Sequence, residues 1–446
     1  MKKNKCQEIV QKTKKYLAPC QMLSYFPLAV ESAHGAKIID ADGKEYIDFL
    51  SSAAALNLGS SFSPVIQAIR DQLEKLTVYA TPYTYSEKTA EYAKKLASIF
   101  PGGGPAKVAF GHSGSDANDA AIKFSRAFTG RQKILVFQNG YHGTTFGAAT
   151  MSTCSVHMHE KMGPFLPDVY VFPFFGVDVD DQTCERESTL EIEKAFSTYL
   201  SPEEVAAVII EPIQGDAGAI AAHPIFLQKL YTLCKDHGIL FIVEEVQQGF
   251  WRTGKWFSIE HYGINPDGIC MGKALGGGMP MGAFMARAEI MDSLPAPAHT
   301  FTLAGNAICC QAGLAAFDYY QTQEFQETLK RNIRLLREEA GKLKEKYPDR
   351  ISFVRQMGMT MGIGIGKRGE AGEMIPDSQG TFKILFRAYE KGLVVISLAG
   401  NVLRIQPPLN IEEGLIRKGF SILDQSIRDY LDGNIPDEVM KYCAGW

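Results

Sequence analysis

The chain of 446 residues lacks the features that mark several classes of protein. It has no apolar run long enough to span a bilayer, and no apolar core of a signal peptide follows its lysine-rich first residues. Its nine cysteines show no paired C-x-x-C spacing, which argues against a zinc site and against a secreted disulfide framework. We therefore expect a cytoplasmic protein without a metal site or a membrane anchor.

The sequence also lacks a large excess of either positive or negative charge. The 46 basic and 50 acidic residues give a formal net charge of −4, so the chain has no global electrostatic reason to bind nucleic acid or a membrane surface. The length exceeds the usual range for one hydrophobic core, which predicts more than one domain. We expect a large enzyme that acts on small molecules.

Apolar runs alternate with helix-length segments through the middle of the chain. The predicted strands include 108–110, 134–137, 205–210 and 239–243, and the predicted helices include 117–128 and 227–237. This alternation predicts an α/β fold with a mostly parallel sheet wrapped by helices. We expect a large domain over residues 71–320.

The two ends of the chain are predicted to form the remaining parts. An amphipathic pattern predicts a long helix over 323–346, and apolar runs predict strands at 352–355, 361–365 and 402–405 of a smaller α/β domain, 321–446. Residues 36–48 predict a hairpin around Asp42-Gly43 within an N-terminal segment, 1–70.

Lys273 and Glu244 are the most informative residues. Lys273 follows the apolar run 269–271 and precedes three glycines, where the backbone can approach a ligand closely and a desolvated amine could act as a nucleophile. Glu244 ends a predicted strand, at the edge where open α/β sheets bind ligands. Pyridoxal phosphate (PLP) needs both groups, a lysine for its aldehyde and an acid for its ring nitrogen.

Residues 111–116 could hold the phosphate of such a cofactor. The sequence Gly-His-Ser-Gly-Ser-Asp follows a predicted strand and precedes a predicted helix, so backbone amides and hydroxyls would converge on an anion. The same turn could also serve only to start the helix, with Asp116 as its N-cap. Both interpretations remain open from these residues alone.

From about residue 30 to 430 the chain resembles the class III aminotransferases, a PLP-dependent family of fold type I. The resemblance rests on Glu244-Glu245-Val246-Gln247, the lysine segment and the turn at 111–116, although the family normally has Asp where this chain has Glu244. A fold type I large domain has a sheet of the seven-stranded type. The resemblance also implies a homodimer or a dimer of dimers.

The resemblance assigns roles to individual residues. Lys273 would be the Schiff-base lysine, and Glu244 would pair with the ring nitrogen as the second catalytic group. The other cofactor-binding residues implied are Gly114, Ser115, Tyr141, Val246, Gln247 and, from a neighbouring subunit, Thr302. The substrate-binding residues implied are Arg404, Glu211 and Trp251.

Several of these residues have structural alternatives. Glu211 could pair with Arg404 only to brace the fold. Trp251 and Tyr141 could be core or interface aromatics. His142, which follows Tyr141 in a turn, could be a structural hydrogen-bonding group or a proton shuttle.

A narrower resemblance concerns the reaction. The segments 113–119, 141–147 and 399–404, with the terminal Gly445-Trp446, resemble the isoleucine 2-epimerase branch of the family. The 4-aminobutyrate aminotransferases typically carry Arg where this chain has Thr144, so a substrate with a second carboxylate would lose a charged partner. We therefore predict a racemase or epimerase of nonpolar amino acids, a class that includes branched ones such as isoleucine.

Two other functions remain open. An ω- or α-aminotransferase of the same family would transfer the amino group to a 2-oxo acid. A PLP-binding protein without turnover would explain Glu in place of Asp at position 244. The group that serves the second face of Cα is undecided among Tyr141, His142 and Lys273 itself.

Overall fold

Strands and helices alternate along the chain, and a computed structural model describes residues 4–443. Gly445-Trp446, used in the resemblance above, lies outside these residues. The helices are α1 (Lys5–Tyr16), α2 (Ser51–Ala54), α3 (Ser63–Leu73), α4 (Glu87–Ser98), α5 (Gly114–Thr129), α6 (Phe146–Met151), α7 (Asp181–Glu187), α8 (Leu190–Phe196), α9 (Pro224–Asp236), α10 (Ala288–Met291), α11 (Ala307–Tyr320), α12 (Gln323–Lys346), α13 (Ser378–Glu390) and α14 (Glu413–Leu431). All four residues of α2 have positive φ, so it is a left-handed turn.

Every apolar run that the sequence predicts to be a strand overlaps a strand of the structure. They are β1 (Val30–His34), β2 (Lys37–Asp40), β3 (Glu45–Asp48), β4 (Ala106–Gly111), β5 (Lys133–Phe137), β6 (Val169–Phe172), β7 (Val205–Ile210), β8 (Ile213–Gln214), β9 (Ile220–Ala221), β10 (Leu240–Glu244), β11 (Gly268–Met271), β12 (Gly282–Arg287), β13 (Ile351–Met357), β14 (Thr360–Arg368), β15 (Met374–Pro376), β16 (Leu393–Val394), β17 (Ile396–Leu398) and β18 (Val402–Ile405).

The chain divides into two compact units. The large unit is Ser63–Tyr320, and the small unit combines the described residues up to Phe62 with those from Gln321 onward. Within residues 4–443 no helix is both long enough and apolar enough to cross a membrane.

The large unit is built on a seven-stranded sheet in the order β4-β12-β11-β10-β7-β5-β6. Strand β12 runs antiparallel to both of its neighbours, and the other paired strands are parallel. All six residues of β7 and all five of β10 are buried, as expected of a parallel sheet covered on both faces. The predicted α/β fold with a mostly parallel sheet is confirmed.

Helix α5 covers part of this sheet and starts at the predicted turn. Its buried residues Ala117, Ala120, Ala121 and Phe124 follow the spacing of one helix face and pack into the core of the large unit. The N-cap is Ser113, so the expectation of Asp116 at that position is wrong. Asp116 lies three residues on and completes a capping box, in which each side chain accepts a hydrogen bond from the other's backbone amide.

The small unit contains the predicted hairpin and the predicted long helix. Strands β2 and β3 pair antiparallel around Asp42-Gly43, and β16 adds to the same sheet from the C-terminal part of the chain. A second sheet has the order β13-β14-β18-β17, with β15 paired to β14. The helix predicted over 323–346 has those bounds as α12, and its buried residues lie along one face.

Candidate active site

Three adjacent parallel strands deliver three ionisable side chains to one edge of the sheet. Glu211 follows β7, Glu244 ends β10, and Lys273 comes two residues after β11. Because parallel strands end at the same edge, their loops enclose a common crevice. The crevice is a cavity of about 190 Å³ lined by Ser113, Gly114, Ser115, Tyr141, His142, Gly143, Glu211, Asp216, Glu244, Val246, Gln247 and Lys273.

The backbone at Lys273 is unusual. Its φ is +46°, in the left-handed region that L residues rarely adopt, and the preceding Gly272 is extended. A Cβ at Gly272 would lie 3.0 Å from a methyl group of Val246 and 3.1 Å from the amide nitrogen of Gly114. The glycine therefore lets the lysine segment pass close to the start of α5.

Glu244 is buried and bent back towards its own backbone. Its Oε1 accepts a hydrogen bond from the amide of Val246, with an oxygen–nitrogen distance of 3.0 Å. Burial raises the pKa of Glu244 to about 8, and the nearby charge of Lys273 acts in the opposite direction. A pKa in that range allows this carboxyl group to exchange a proton near neutral pH.

Glu211 is the second buried carboxyl group of the cavity. Its Oε2 accepts a hydrogen bond from the amide of Tyr141 at 3.0 Å. Burial raises the pKa of Glu211 well above its ordinary value, and the charge of Glu244 adds to that effect. Partial burial likewise raises the pKa of the Tyr141 phenol to about 12.

The N-terminus of α5 forms the polar end of the cavity. The hydroxyl of Ser115 accepts a hydrogen bond from the amide of Thr144 at 3.0 Å, which orients its own O–H for donation. A Cβ at Gly143 would lie 2.1 Å from that Oγ, and a Cβ at Gly114 would lie 2.6 Å from a methyl group of Val246. Gly143 and Gly114 thus let Ser115 and Val246 pack closely at the start of the helix, where an anion binds favourably.

Val246 and Gln247 are held on the turn that follows β10. The side-chain oxygen of Gln247 accepts a hydrogen bond from the side-chain amide of Gln248 at 3.0 Å. A Cβ at Gly215 would lie 2.1 Å from that oxygen, so the turn containing Gly215 packs directly on Gln247.

His142 lines the cavity, and its side chain is buried. Burial lowers the pKa of its imidazole to about 4, so the ring is neutral at physiological pH. Its Nδ1 has no hydrogen-bond partner within residues 4–443. A ring that resists protonation to this degree is poorly suited to shuttle protons near pH 7.

Three of the predicted site residues do not line this cavity. The ring of Trp251 packs against Trp256, with 5.5 Å between the ring centroids. Thr302 is exposed, and its carbonyl oxygen accepts a hydrogen bond from the amide of Thr81 at 3.2 Å. Arg404 is buried in β18 of the small unit.

Asp216 is a lining residue that the sequence interpretation missed. It lies in the turn between β8 and β9, directly after Gly215. Its charge contributes to the raised pKa values of Tyr141, Glu211 and Glu244. The signal in the sequence was a Gly-Asp step a few residues after Glu211, close enough along the chain to reach the same edge of the sheet.

Comparison with known proteins finds the same family that the sequence motifs resemble. The family model "Aminotransferase class-III" matches residues 21–427. Isoleucine 2-epimerase from Lentilactobacillus buchneri is 39% identical over 454 residues that cover all of both chains, and leucine/methionine racemase from Thermococcus litoralis is 39% identical over 99% of each chain.

The solved structures agree with the fold. A structure of ornithine aminotransferase from Toxoplasma gondii, with partial occupancy of PLP at its active site, covers 96% of this chain and 95% of its own. Its TM-score is 0.81 and its sequence identity is 25%. The predicted fold type and the predicted resemblance are both confirmed, and the chain belongs to the class III aminotransferase family.

Proposed function

We propose that the chain is a PLP-dependent racemase or epimerase of nonpolar amino acids. The observation that supports this most is the cavity itself, in which the Lys273 amine shares about 190 Å³ with the carboxyl groups of Asp216 and Glu244. Racemisation needs groups that can take a proton from Cα and return it on the other face. The names of the two relatives at 39% identity support the same reaction.

The lining residues fit the cofactor that the family implies. The amine of Lys273 suits its aldehyde, the carboxyl group of Glu244 suits its ring nitrogen, and the start of α5 at Gly114 and Ser115 suits its phosphate. Val246 and Tyr141 would pack on the two faces of the ring, and Gln247 would reach the ring hydroxyl. The lining position of Ser115 and Gly143 supports a phosphate beside the Ser115 hydroxyl.

When bound, the cofactor withdraws electrons from the Cα–H bond of the amino acid and so acidifies that proton. Lys273 Nζ then takes the proton from Cα as a general base. Glu244, whose buried carboxyl group has a raised pKa, would hold the ring nitrogen of the cofactor. Its side chain is one methylene longer than the family's usual Asp, and its Oε1 folds back onto the amide of Val246.

We propose Asp216 as the group that exchanges a proton with the opposite face of Cα. Tyr141 suits this role less well because its pKa of about 12 keeps its proton bound, and His142 suits it less well because its pKa of about 4 keeps the imidazole neutral. The carboxyl group of Asp216 lines the same cavity as Lys273. In this two-base arrangement, Lys273 exchanges the Cα proton of one enantiomer and Asp216 exchanges that of the other.

The proposed substrates are α-amino acids with apolar side chains. Arg404 is proposed to bind the substrate carboxylate, and Glu211 and Trp251 are proposed as further substrate-binding residues. Thr144 supplies no charge for a second carboxylate. The names of these two relatives, which specify isoleucine, leucine and methionine, support the same class.

The second candidate is an aminotransferase, which the name of the family itself favours. It would use the same Lys273 and the same carboxyl groups. It differs in one requirement, since each turnover would consume a 2-oxo acid as the amino-group acceptor.

We also propose that the chain works as a homodimer or a dimer of dimers that brings Thr302 to a neighbouring subunit's phosphate site. Tyr79, Tyr83 and Leu303 are exposed large side chains on the two segments that Thr81 joins through its hydrogen bond to Thr302. An apolar surface of this kind suits a second copy of the chain. Sedimentation of the purified protein tests this proposal, and a monomer would contradict it.

Asp216→Asn tests the two-base arrangement. In deuterated water we expect this variant to exchange the Cα proton of only one enantiomer, while conversion between enantiomers falls by at least about 100-fold. Asp292→Asn, on the surface, is the matched control and should behave as the wild type. Racemisation at the wild-type rate in Asp216→Asn would exclude Asp216 from proton transfer.

A further inference from the structure

The turn that carries Lys273 needs support from its surroundings. The left-handed backbone of Lys273 opens a short 3₁₀ turn, Lys273–Gly276, which ends at Gly277 with a φ of +59°. A non-glycine residue in this region is strained and persists only where its neighbours hold it. The amide of Leu275 donates to the carbonyl of Gly272 at 2.9 Å, which closes the turn on itself.

Tyr92 holds this turn from outside. Its hydroxyl donates a hydrogen bond to the carbonyl oxygen of Leu275 at 2.5 Å, across 183 positions of sequence. The side chain is 1% exposed, and its burial raises the pKa of the phenol well above the ordinary value, so the hydroxyl stays a donor. Leu275 lies two residues after Lys273, within the same turn.

Helix α11 fixes the position of Tyr92 and of the turn. A Cβ at Gly313 would lie 2.5 Å from two ring atoms of Tyr92, so the absence of a side chain makes room for the tyrosine. A Cβ at Gly277 would lie 2.8 Å from the carbonyl oxygen of Ala312. The turn therefore packs closely against α11 and is hydrogen-bonded to Tyr92 of α4.

The same helix α4 also contacts the segment that contains Thr302. The hydroxyl of Thr89, three residues before Tyr92, donates to the carbonyl oxygen of Gly305 at 2.6 Å. One face of α4 thus contacts both the lysine turn and the segment proposed to serve a neighbouring subunit.

We propose that Tyr92 is a positioning residue that holds the strained backbone of Lys273 so that its amine points into the cavity. The inference rests on the proposed role of Lys273 as the amine that bonds the cofactor. Without the Tyr92 hydroxyl, the carbonyl of Leu275 loses its partner and the turn can relax. The amine then spends less time in the geometry that bonds the cofactor and reaches Cα.

Tyr92→Phe removes only the hydroxyl and keeps the ring. We expect PLP to leave this variant about fivefold faster than it leaves the wild type, the equivalent of one hydrogen bond. The turnover number for racemisation should fall by a similar factor, with KM changed less than about twofold. Gly313→Ala, which displaces the ring itself, should change both quantities in the same direction.

The matched control is Tyr347→Phe in the small unit. Tyr347 is also buried, and its hydroxyl donates to the carboxylate of Asp424 at 2.8 Å. This variant should lose thermal stability without a change in PLP release or turnover. A Tyr92→Phe protein that loses only thermal stability, as this control does, would reduce Tyr92 to a core residue and overturn the proposal.

A second measurement separates this proposal from the proposed function. Trace acetylation without added cofactor, mapped by mass spectrometry, reports the accessibility of the Lys273 amine whatever the protein catalyses. We expect labelling of Lys273 at least about threefold faster in Tyr92→Phe, with other lysines unchanged. If the wild type shows no PLP chemistry but the labelling changes, the function fails and the positioning role stands; unchanged labelling and unchanged release refute the positioning role.

Discussion

Glu245 provides a quantitative test of the electrostatics next to the site. This residue directly follows Glu244 and is completely buried. Its Oε1 accepts hydrogen bonds from the hydroxyl of Ser258 at 2.7 Å and from the amide of Ile259 at 2.8 Å, whereas Oε2 has no hydrogen-bond partner within the described residues. Burial raises the pKa of Glu245 from 4.5 to about 7.

The sign and size of the effect on stability follow from that shift. The folded protein holds the Glu245 proton more tightly than the unfolded chain does, so rising pH removes stability between about 4.5 and about 7. Each unit of pKa difference corresponds to about 1.4 kcal/mol, so the total loss is about 3 kcal/mol. Glu245→Gln imitates the protonated acid and abolishes this part of the pH dependence.

The assay is urea unfolding of the wild type and of Glu245→Gln at pH 5 and pH 8. The variant should gain about 2 to 3 kcal/mol relative to the wild type when the pH is raised across this window. Glu203→Gln, on the surface, is the control and should have the same free energy of unfolding as the wild type at both pH 5 and pH 8. A difference between Glu245→Gln and the wild type that stays constant from pH 5 to pH 8 would refute the burial argument.

Two further predictions concern the cofactor site. Lys273→Ala should abolish racemisation, because no other amine lines the cavity among the described residues, while circular dichroism shows the fold intact. Wild-type activity in this variant would refute the proposed role of Lys273. Gly143→Ala places a Cβ 2.1 Å from Ser115 Oγ at a φ of +128°, so PLP affinity measured by titration should fall at least about tenfold, and unchanged affinity would remove Ser115 from the phosphate site.

The sheet was predictable from the sequence because its strands are short, uninterrupted apolar runs. The same patterns placed Glu244 and Lys273 at strand ends, and parallel strands must end at a common edge. Strand β12 was not predicted, since Gly282–Arg287 contains small residues and follows a run of glycines. Its antiparallel pairing on both sides depends on long-range contacts that no local pattern encodes.

The parts of the site that were missed have a common physical cause. Asp216 lies in a hairpin turn whose position is set by the contact between Gly215 and Gln247. Tyr92 reaches the lysine turn through a contact between residues 183 positions apart. The N-cap was misplaced by three residues because a capping box uses Ser113 and Asp116 together, and composition alone does not say which one ends the non-helical segment.

Racemisation of amino acids without an amino-group acceptor is the activity proposed for this chain. The most direct test incubates the purified protein and PLP with L-isoleucine in deuterated water, with no 2-oxo acid present, and follows chirality and deuterium at Cα. We expect sustained formation of the product inverted at Cα, with deuterium at that carbon, over many turnovers. A single stoichiometric conversion to the 2-oxo acid that resumes only when pyruvate or 2-oxoglutarate is added would contradict it and make the protein an aminotransferase.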